Sequence, residues 1–419
     1  MKVFADLHLH SKYSRGCSKN LNLETINYYA FLKGLQLLAT GDFLHPLWLK
    51  EIYKKLIPVN EGIFQLKDTQ NSAYFILGGE LSSIFSRNNK VYRIHYLIFL
   101  PDFNLVTKLY KKLSLYANLS SDGRPIIGLD VIEVMKIVFD IYEKTIFIPA
   151  HIWTPWFSLY GSMSGFNSIY DAFGDYTKYV TAVETGLSSD PAMNWRLSEL
   201  DQISIVSFSD AHSYYPHRLG REATLFELVD LNYDNLYKAL KLPTVDNKII
   251  MTIEFFPEEG KYHYDGHRLC KVRFSPKESK KNNYLCPVCY KKLTIGVMSR
   301  VESLADRQEN FVAEARPTFK RLSNIADILG QIFKTSPTSK KVLTQYEEII
   351  KTFGKELDIL MGNFDKHQML KTYPELVKAL EMIDRGDIIL EAGYDGEYGK
   401  VLLDLNKEVN LNQSFKQLF

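Results

Sequence analysis

The residues best suited to chemistry stand near the N-terminus, where Asp6, His8 and His10 occupy alternate positions after a short apolar run. Alternate residues of a β-strand point to the same side, so we expect these three side chains to converge where the strand ends. Imidazole and carboxylate together favour zinc, manganese or iron over calcium. By itself the motif is equally compatible with polar residues on a half-exposed strand. The rest of the chain has to decide between the two interpretations.

The same pattern recurs along the first half of the chain, where an apolar run contains or precedes an acidic residue or a histidine. The other runs are Leu35–Thr40, Tyr74–Leu77, Tyr92–Leu100, Ile146–Ala150, Tyr179–Val183 and Ile203–Phe208. The residues that they contain or precede are Asp42, His45, Glu80, His95, His151, Glu184, Asp210 and His212. Six of the ten histidines of the chain follow this pattern. Such a concentration predicts a metal site with more than one ion.

Helix-like stretches separate several of these runs and would position them. They are Leu23–Lys33, which follows a candidate N-cap at Asn22, Leu47–Leu56 and Leu129–Tyr142. Strands that alternate with helices predict an α/β fold with a parallel sheet, and nearly continuous apolar strands indicate that both faces are covered. In barrels of this kind the active site lies at the C-terminal ends of the strands, where the acidic residues and histidines stand.

The motifs DLHLHS, GDxxHP, GGEL, the strand histidine His95, PAH and SFSDAH follow one another in this order. The set resembles that of the PHP (polymerase and histidinol phosphatase) superfamily over about residues 1–225. The resemblance implies a distorted (β/α)7 barrel that holds two or three divalent metals, with zinc, magnesium and manganese as the candidates.

The resemblance also implies which residues hold each metal. The implied ligands are His8, His10, Glu80 and Asp210 for one ion, Glu80, His95 and His151 for a second, and Asp42, His45 and His212 for a third. Two departures from the family pattern concern the third ion. Two residues separate Asp42 from His45 where many members have an adjacent acid and histidine, and Cys17 stands near the position where many have a histidine.

Closely spaced divalent ions lower the pKa of a bridging water and neutralise phosphate charge, which suits hydrolysis of a phosphate ester. We take Asp210 and Asp190 as the catalytic candidates. Asp190 is expected on the same rim, where it would move protons; the alternative is that Asp190 and the proline after it only initiate a turn. Arg218 and Arg221 would bind a phosphate. The alternative is that both arginines are simply solvated.

An aromatic loop follows His151 and contains Trp153, Trp156 and Phe157. Its glycine and serine content predicts a long, adaptable segment. Aromatic rings beside a phosphate-cleaving centre would stack on nucleobases or line a pocket for an extruded base. The alternative is that the rings pack into a small core of their own.

A second metal pattern lies farther along the chain. A histidine and three cysteines at His-x-x-Cys and Cys-x-x-Cys spacing, with fifteen residues between the two pairs, form a Cys3His zinc pattern: His267, Cys270, Cys286 and Cys289. His263 could replace His267 at a less usual spacing. Four protein ligands leave no open position, so the zinc would be structural and would fold a segment too small for a core of its own.

The zinc segment is also strongly basic. Residues 261–300 contain ten lysines and arginines against two acidic residues, although the whole chain has a formal charge of only +2. The segment, with Lys271 and Arg273, is therefore our candidate contact to the phosphate backbone of DNA. A solvated basic surface is the alternative.

Bulk composition indicates a globular protein with more than one domain. The 419 residues are too many for one ordinary core, and 46% hydrophobic and 24% charged residues are typical of globular proteins. We predict a catalytic barrel at 1–242, a zinc module at 243–298 and a mainly helical C-terminal domain at 299–419. Four cysteines do not form a disulfide scaffold, and no apolar run reaches the roughly 18 residues of a transmembrane helix. The N-terminus does not resemble a signal peptide, so we expect a cytoplasmic protein without a membrane partner.

The C-terminal domain carries no catalytic pattern and is interpreted as a substrate-positioning unit. Its predicted helices are Val301–Arg307, Leu322–Ile332, Lys340–Phe353, Glu356–Met361 and Pro374–Arg385, followed by a turn between two β segments within Ile388–Leu405. The final stretch Asn412–Phe419 faintly resembles the tail peptides that dock on DNA sliding clamps. A disordered end is the alternative.

Within the superfamily, a barrel followed by a zinc module and a helical tail resembles the archaeal-type endonuclease Q family. The segments YSRGCSK, TGDFLHP, PAHIWTPWFS, ETGLSSDPAMNWR and SDAHS carry this resemblance, which covers nearly the whole chain. It implies a metal-dependent DNA repair endonuclease for double- or single-stranded DNA. The enzyme would extrude the damaged nucleotide and cut 5′ of uracil, hypoxanthine, xanthine or an abasic site. Three alternatives stay open: a phosphatase for a small phosphomonoester, a non-catalytic helicase-associated DNA-binding module, and a processive exonuclease.

Overall fold

The structure, a computed structural model, describes residues 1–70 and 72–406. A mixed sheet of eleven strands, with helices packed on it, forms the centre of the molecule. The strands before residue 255 are β1 (Lys2–Asp6), β2 (Leu37–Ala39), β3 (Leu56–Asn60), β4 (Ile63–Leu66), β5 (Tyr74–Arg87), β6 (Lys90–Leu100), β7 (Ile126–Ile127), β8 (Ile146–Pro149), β9 (Ala182–Glu184), β10 (Ser204–Val206), β11 (Ala223–Glu227) and β12 (Lys248–Glu254). The helices of this part are α1 (Leu23–Lys33), α2 (Pro46–Lys55), α3 (Phe103–Leu113), α4 (Val131–Ile141), α5 (Ile169–Phe173), α6 (Pro191–Asn194) and α7 (Tyr233–Lys241).

Each of the seven apolar runs forms a strand, so the sequence pattern predicts these elements correctly. The three predicted helices also form, as α1, α2 and α4, because local signals set their ends. The side chain of Asn22 accepts a hydrogen bond from the Thr25 amide, as expected of an N-cap, and Gly34 ends α1 in the left-handed conformation. Pro46 begins α2, where a proline costs no helical hydrogen bond.

The expectation of a purely parallel sheet is wrong at β6. This strand pairs antiparallel with both β5 and β8. Asn88 and Asn89 join β5 to β6 in the left-handed conformation, with φ of 53° and 60°, which is the geometry of a two-residue hairpin turn. β5 and β6 are therefore a hairpin and not the two strands of a crossover unit. As a consequence, His95 lies opposite Ser82 inside the hairpin and not at a strand end.

Irregular contacts continue the arc of strands beyond β8. The Thr181 amide, just before β9, donates to the Phe147 carbonyl of β8. β9 and β10 pair in parallel as a separate two-stranded sheet. The bridge between Leu9 and Ala211 then connects the segment after β10 with the segment after β1. The C-terminal ends of β1, β8, β9 and β10 are thus gathered at one place.

The C-terminal part adds two small hairpins, one further strand of the main sheet and a group of helices. Its strands are β13 (Asp265–His267), β14 (Val272–Phe274), β15 (Thr318–Arg321), β16 (Ile389–Glu391) and β17 (Lys400–Leu402). Its helices are α8 (Pro276–Lys281), α9 (Val297–Leu304), α10 (Ile325–Ile332), α11 (Lys340–Phe353), α12 (Glu356–Leu360), α13 (Lys366–Thr372) and α14 (Pro374–Arg385). The predicted helices after residue 300 are confirmed, and so is the β turn near the end of the described chain.

The main sheet does not stop at residue 242. β12 pairs antiparallel with β11, and β15 pairs in parallel with β12. Segments that we assigned by sequence to the zinc module and to the helical domain therefore each contribute one strand to the sheet of the first domain. The domain boundaries at 242 and 298 stay predictions.

Two glycines allow the β16–β17 hairpin to pack closely against the segment after β12. A Cβ at Gly393 would lie 2.3 Å from the Gly260 carbonyl oxygen, and a Cβ at Gly399 would lie 2.1 Å from the Glu258 carbonyl oxygen. Only glycine permits this approach. The contact fixes Tyr398, which precedes Gly399, beside the main sheet.

None of the described helices is long and apolar enough to cross a bilayer. The sliding-clamp prediction concerns Asn412–Phe419, which lies outside the described residues.

A buried ion pair connects α1 to the C-terminal helices. The Lys33 ammonium is 1% exposed and lies 3.0 Å from a Glu356 carboxylate oxygen and 2.9 Å from the Pro216 carbonyl oxygen. The same carboxylate accepts hydrogen bonds from the Tyr346 hydroxyl and the Ile325 amide. Removal of one partner leaves the other charge buried and uncompensated, which is costly.

We therefore expect Lys33→Met to lower the free energy of unfolding by about 3–5 kcal/mol. Urea unfolding followed by circular dichroism measures the change. Lys54→Met, on the exposed face of α2, is the matched control and should change it by less than about 0.5 kcal/mol. Equal stabilities of the two variants would contradict the role given to this ion pair.

Candidate metal centre and its cleft

The first donor cluster consists of His8, His10, Glu80 and Asp210, whose ligand atoms lie within 4.8 Å of one another. The segment after β1 supplies the two histidines, β5 supplies Glu80, and Asp210 follows β10 in a left-handed conformation with φ of 47°. The Nε2 atoms of His8 and His10 lie 3.4 and 3.1 Å from Asp210 Oδ1. They lie 3.5 and 3.3 Å from Glu80 Oε2. Both imidazoles therefore face one centre.

The second cluster consists of Glu80, His95 and His151. Glu80 Oε1 lies 2.6 Å from His95 Nδ1 and 3.1 Å from His151 Nε2. Since Oε2 of the same carboxylate faces the first cluster, Glu80 offers one oxygen to each. The β5–β6 hairpin makes this possible because it sets His95 beside the strand that carries Glu80. The sequence-based grouping of these six residues corresponds to the two clusters in the structure.

The donor set fits divalent metals. His8 Nδ1 donates a hydrogen bond to Glu184 at 2.8 Å, so the lone pair of Nε2 is directed at the cluster. His8 Nε2 is buried and has no hydrogen-bond partner among the described residues. A buried, unpaired acceptor is costly, and a metal ion is the partner that would satisfy it. Nitrogen and carboxylate oxygen together suit zinc or manganese.

The expected third site is not assembled. Among the described residues, no donor cluster includes Asp42, His45 or His212. The Asp42 carboxylate accepts hydrogen bonds from Ser11 and Ser14 and from His10 Nδ1 at 3.1 Å, so it orients a ligand of the first cluster. The His45 ring stacks on Tyr13, and the His212 ring lies 4.5 Å from the His10 ring. The two sequence departures noted above fall on this same site.

Sequence reasoning missed Arg124 because this residue follows none of the apolar runs that carry the other candidates. Its guanidinium lies 3.0 Å from Glu80 Oε2 and is partly exposed. Burial alone would raise the pKa of Glu80, but His95, Arg124 and His8 hold it well below its usual value. Glu80 is therefore ionised at neutral pH.

The structure does not support the proton-transfer role predicted for Asp190. Its Oδ1 accepts the Met193 amide at 3.0 Å as the N-cap of α6, and its Oδ2 pairs with the guanidinium of Arg321 in β15. The carboxylate is fully buried, and both of its oxygens are engaged. This is the geometry of the alternative interpretation, a carboxylate that stabilises a turn.

The aromatic loop divides into one core ring, one ring beside His95 and one ring that packs against Tyr262. Trp153 is 1% exposed, donates from Nε1 to Asn194 and packs against Tyr160, so its prediction as a base-pocket residue is wrong. Phe157 is half-buried and lies 4.7 Å from the His95 ring. Trp156 is half-buried and meets Tyr262 edge to face.

A cleft of about 520 Å³ opens beside the clusters. Its lining includes His151, Asp210 and His212 and also the cations Arg218, Arg221 and Lys261. Both predicted phosphate-binding arginines therefore reach the cleft. Sequence reasoning missed Lys261 and Tyr398, because only the fold brings them here.

Tyr398 stands among the cations of this cleft. The Lys261 ammonium lies 4.6 Å and the Arg218 guanidinium 5.6 Å from the centre of its ring. Burial would raise the pKa of Tyr398, but Arg218, Arg221 and Lys261 lower it below its usual value. Arg221 donates from Nε to the Ser209 carbonyl, and one of its terminal nitrogens has no partner among the described residues. The cleft is therefore electropositive around Tyr398.

The Cys3His pattern forms a compact cluster away from this cleft. The ligand atoms of His267, Cys270, Cys286 and Cys289 lie within 4.8 Å of one another. His263 is not part of the cluster; it is buried and stacks on Tyr264. The separate hydrophobic cluster around these ligands has three buried residues among those described, Val272, Cys286 and Leu293, so a bound metal would add the main stabilisation there.

The two DNA-contact candidates of the zinc segment are both exposed. Lys271 stands in the left-handed conformation between Cys270 and β14. Arg273 donates a hydrogen bond to the Ala392 carbonyl and so also joins the zinc segment to the β16–β17 hairpin.

Comparison with solved structures identifies the family. PfuEndoQ, a lesion-specific endonuclease from Pyrococcus furiosus, is 30% identical to this chain and superposes with a TM-score of 0.85 over 98% of both chains. The chain belongs to the endonuclease Q family. A second structure of endonuclease Q, in complex with a 27-mer duplex substrate that has an abasic lesion at the active site, is 29% identical and covers 100% of both chains at the same TM-score.

Sequence comparison adds an uncharacterised relative. A protein of Methanocaldococcus jannaschii is 36% identical over 275 residues, which make up 63% of this chain. The matched part is 34% of that relative, so the chain spans about a third of that protein's length. No protein-family model matches the chain.

The zinc cluster leads to a prediction on metal content. Cys286→Ser should lower bound zinc by about one equivalent per chain and should open residues 261–300 to trypsin, because the small core cannot hold them. Elemental analysis and limited proteolysis measure the two effects. Cys17→Ser is the control, since Cys17 lies outside the zinc cluster. Equal zinc contents of the two variants would refute a structural zinc at this position.

Proposed function

We propose that this chain is a metal-dependent DNA repair endonuclease that hydrolyses the phosphodiester 5′ of a uracil, hypoxanthine or xanthine nucleotide or of an abasic site. The observation that carries the proposal is the likeness over the full chain to two structures of endonuclease Q, one of them bound to a duplex with an abasic lesion. The two donor clusters beside an electropositive cleft support the proposal, because metal ions held there would act on a phosphate ester.

The residues of the two clusters would hold two divalent ions. Such a pair polarises a phosphodiester and makes a water nucleophilic near neutral pH. Glu80 would be shared between the ions, and His8, His10 and Asp210 would complete the first site. His95 and His151 would complete the second.

The cations around the centre would bind and orient the phosphate. Arg124 lies next to Glu80, and Arg218 and Lys261 line the cleft. The unpaired terminal nitrogen of Arg221 is a donor held in place by the bond from its Nε to Ser209. Donors fixed before the substrate arrives stabilise the charge of the reacting phosphate without reorganisation.

The cleft would also receive the damaged nucleotide. Its volume of about 520 Å³ is in the range of small-molecule sites, roughly 300–1,000 Å³. Enzymes that act on one nucleotide of a duplex extrude it into such a pocket. The free energy needed to unstack and unpair the nucleotide is smallest for damaged bases. Tyr398, which lines the cleft and is 49% exposed, would offer a stacking face there. Trp156, which contacts Tyr262 of the cleft lining, and Phe157, which contacts the ring of His95, are proposed as further base contacts.

The remaining parts would hold the duplex. We propose that the basic zinc segment, with Lys271, contacts phosphates and that the C-terminal helices position the substrate. We also assign the main sheet and the β9–β10 pair to a distorted PHP-type barrel. The link from Thr181 to Phe147 and the bridge from Leu9 to Ala211 support its closure.

The experiment uses an end-labelled duplex with one internal deoxyuridine, a second with an abasic site, and an undamaged duplex of the same sequence. Incubation with the protein and Mg²⁺, Mn²⁺ or Zn²⁺ should give one product that ends just 5′ of the lesion. Asp210→Ala should reduce the rate at least about 100-fold, because a metal ligand is lost. Asp246→Ala, an exposed aspartate, is the matched control.

Other product patterns would overturn the proposal in distinct ways. Mononucleotide products indicate an exonuclease. Hydrolysis of a generic phosphomonoester without cleavage of any duplex indicates a small-molecule phosphatase. Binding of the damaged duplex without metal-dependent cleavage indicates a DNA-binding module.

A further inference from the structure

We propose that Glu184 is a positioning residue for both metal clusters at once, so that one carboxylate that is not itself a member of either cluster sets the affinity of both ions. The proposal rests on the two-metal function above. Glu184 is fully buried at the C-terminal end of β9. Pairing of β9 with β10 fixes its backbone, and its carbonyl accepts the Ile152 amide.

The first contact of the Glu184 carboxylate orients a ligand of the first cluster. His8 Nδ1 lies 2.8 Å from Oε1 and 3.0 Å from Oε2. A carboxylate that accepts the Nδ1 proton fixes the tautomer and the ring of a histidine ligand and raises its basicity. The Nε2 lone pair of His8 is thereby directed at the first cluster.

The second contact orients a ligand of the second cluster. Glu184 Oε2 accepts the backbone amide of His151 at 2.7 Å. His151 is left-handed with φ of 31°, a conformation that non-glycine residues rarely adopt and that persists only where the surroundings hold it. Gly186 also packs here: a Cβ on it would lie 2.4 Å from His151 Cβ. The hydrogen bond from the His151 amide to Glu184 therefore helps to hold the turn that presents His151 Nε2 to Glu80.

Asp42 provides the comparison within the same molecule. It too is a buried carboxylate that is not a member of either cluster, but its metal-ligand contact is to His10, which belongs to the first cluster alone. A change at Asp42 should therefore lower the binding affinity for one ion. A change at Glu184 should lower the binding affinity for both ions.

Glu184→Gln is the informative variant because it keeps the shape of the side chain. Its neutral carbonyl oxygen, at the position of Oε2, is a weaker acceptor than a carboxylate for both His8 Nδ1 and the His151 amide. Its amide nitrogen, at the position of Oε1, would face the His8 N–H donor. Manganese binding is followed by electron paramagnetic resonance of free Mn²⁺ during titration of the metal-depleted full-length chain. Circular dichroism melting of the same samples reports folding.

The wild-type chain should bind two Mn²⁺. Glu184→Gln should still bind two, each with affinity lower by about 10–100-fold, and Asp42→Asn should lower the affinity of one only. In the lesion-cleavage assay, raising the Mn²⁺ concentration should restore most of the rate of Glu184→Gln. If Glu184→Gln does not fold, Glu184→Asp replaces it and should likewise weaken both ions.

Three results would overturn the proposal. Unchanged affinities in the Glu184 variant, or weakening of a single ion as in Asp42→Asn, would exclude a shared positioning role. Loss of one Mn²⁺ equivalent would make Glu184 a ligand. Fewer than two Mn²⁺ on the wild-type chain would instead remove the two-metal function itself, so the two failures are distinguishable.

Discussion

The arrangement of this molecule depends on one buried carboxylate that faces two sets of imidazoles. Glu80 has one oxygen toward His8 and His10 and the other toward His95 and His151. A charge in such a place is tolerated only when partners surround it. Strand ends and loops that are distant in sequence therefore have to meet at this point. The fold can be understood as the means of bringing them together.

Two features of the scaffold achieve this convergence. The tight asparagine turn after β5 folds β6 back, so that His95 comes to lie beside the strand that carries Glu80. Buried carboxylates behind the ligands, Asp42 and Glu184, then fix the orientation of the rings. Pre-organisation of this kind is what a metal site needs, because a misoriented ring does not ligate.

Much of this could be predicted from the sequence, because the signals are local. Helix α1 follows from its cap, and the candidate ligands follow from their places in or after apolar runs. Their division into two sets, with His95 in the second, follows from the resemblance to the PHP superfamily. The parallel sheet expected around them is wrong at β6, since His95 reaches the second cluster through a hairpin.

Predictions failed where a partner distant in sequence decides the role. The sequence does not show that the Asp190 carboxylate pairs with Arg321. It also does not show that the Trp153 ring is in the core, where its N–H donates to Asn194. Arg124, Tyr398 and the contacts of Glu184 arise in the same way from tertiary structure. No periodicity or spacing along the chain encodes them.

The shared carboxylate can be tested directly by anomalous diffraction from crystals of the full-length protein grown with Mn²⁺. The account predicts two manganese peaks about 3.5–4 Å apart, with one oxygen of Glu80 on each. His8, His10 and Asp210 should surround the first peak, and His95 and His151 the second. A single peak, or two peaks that Glu80 does not join, would contradict the account.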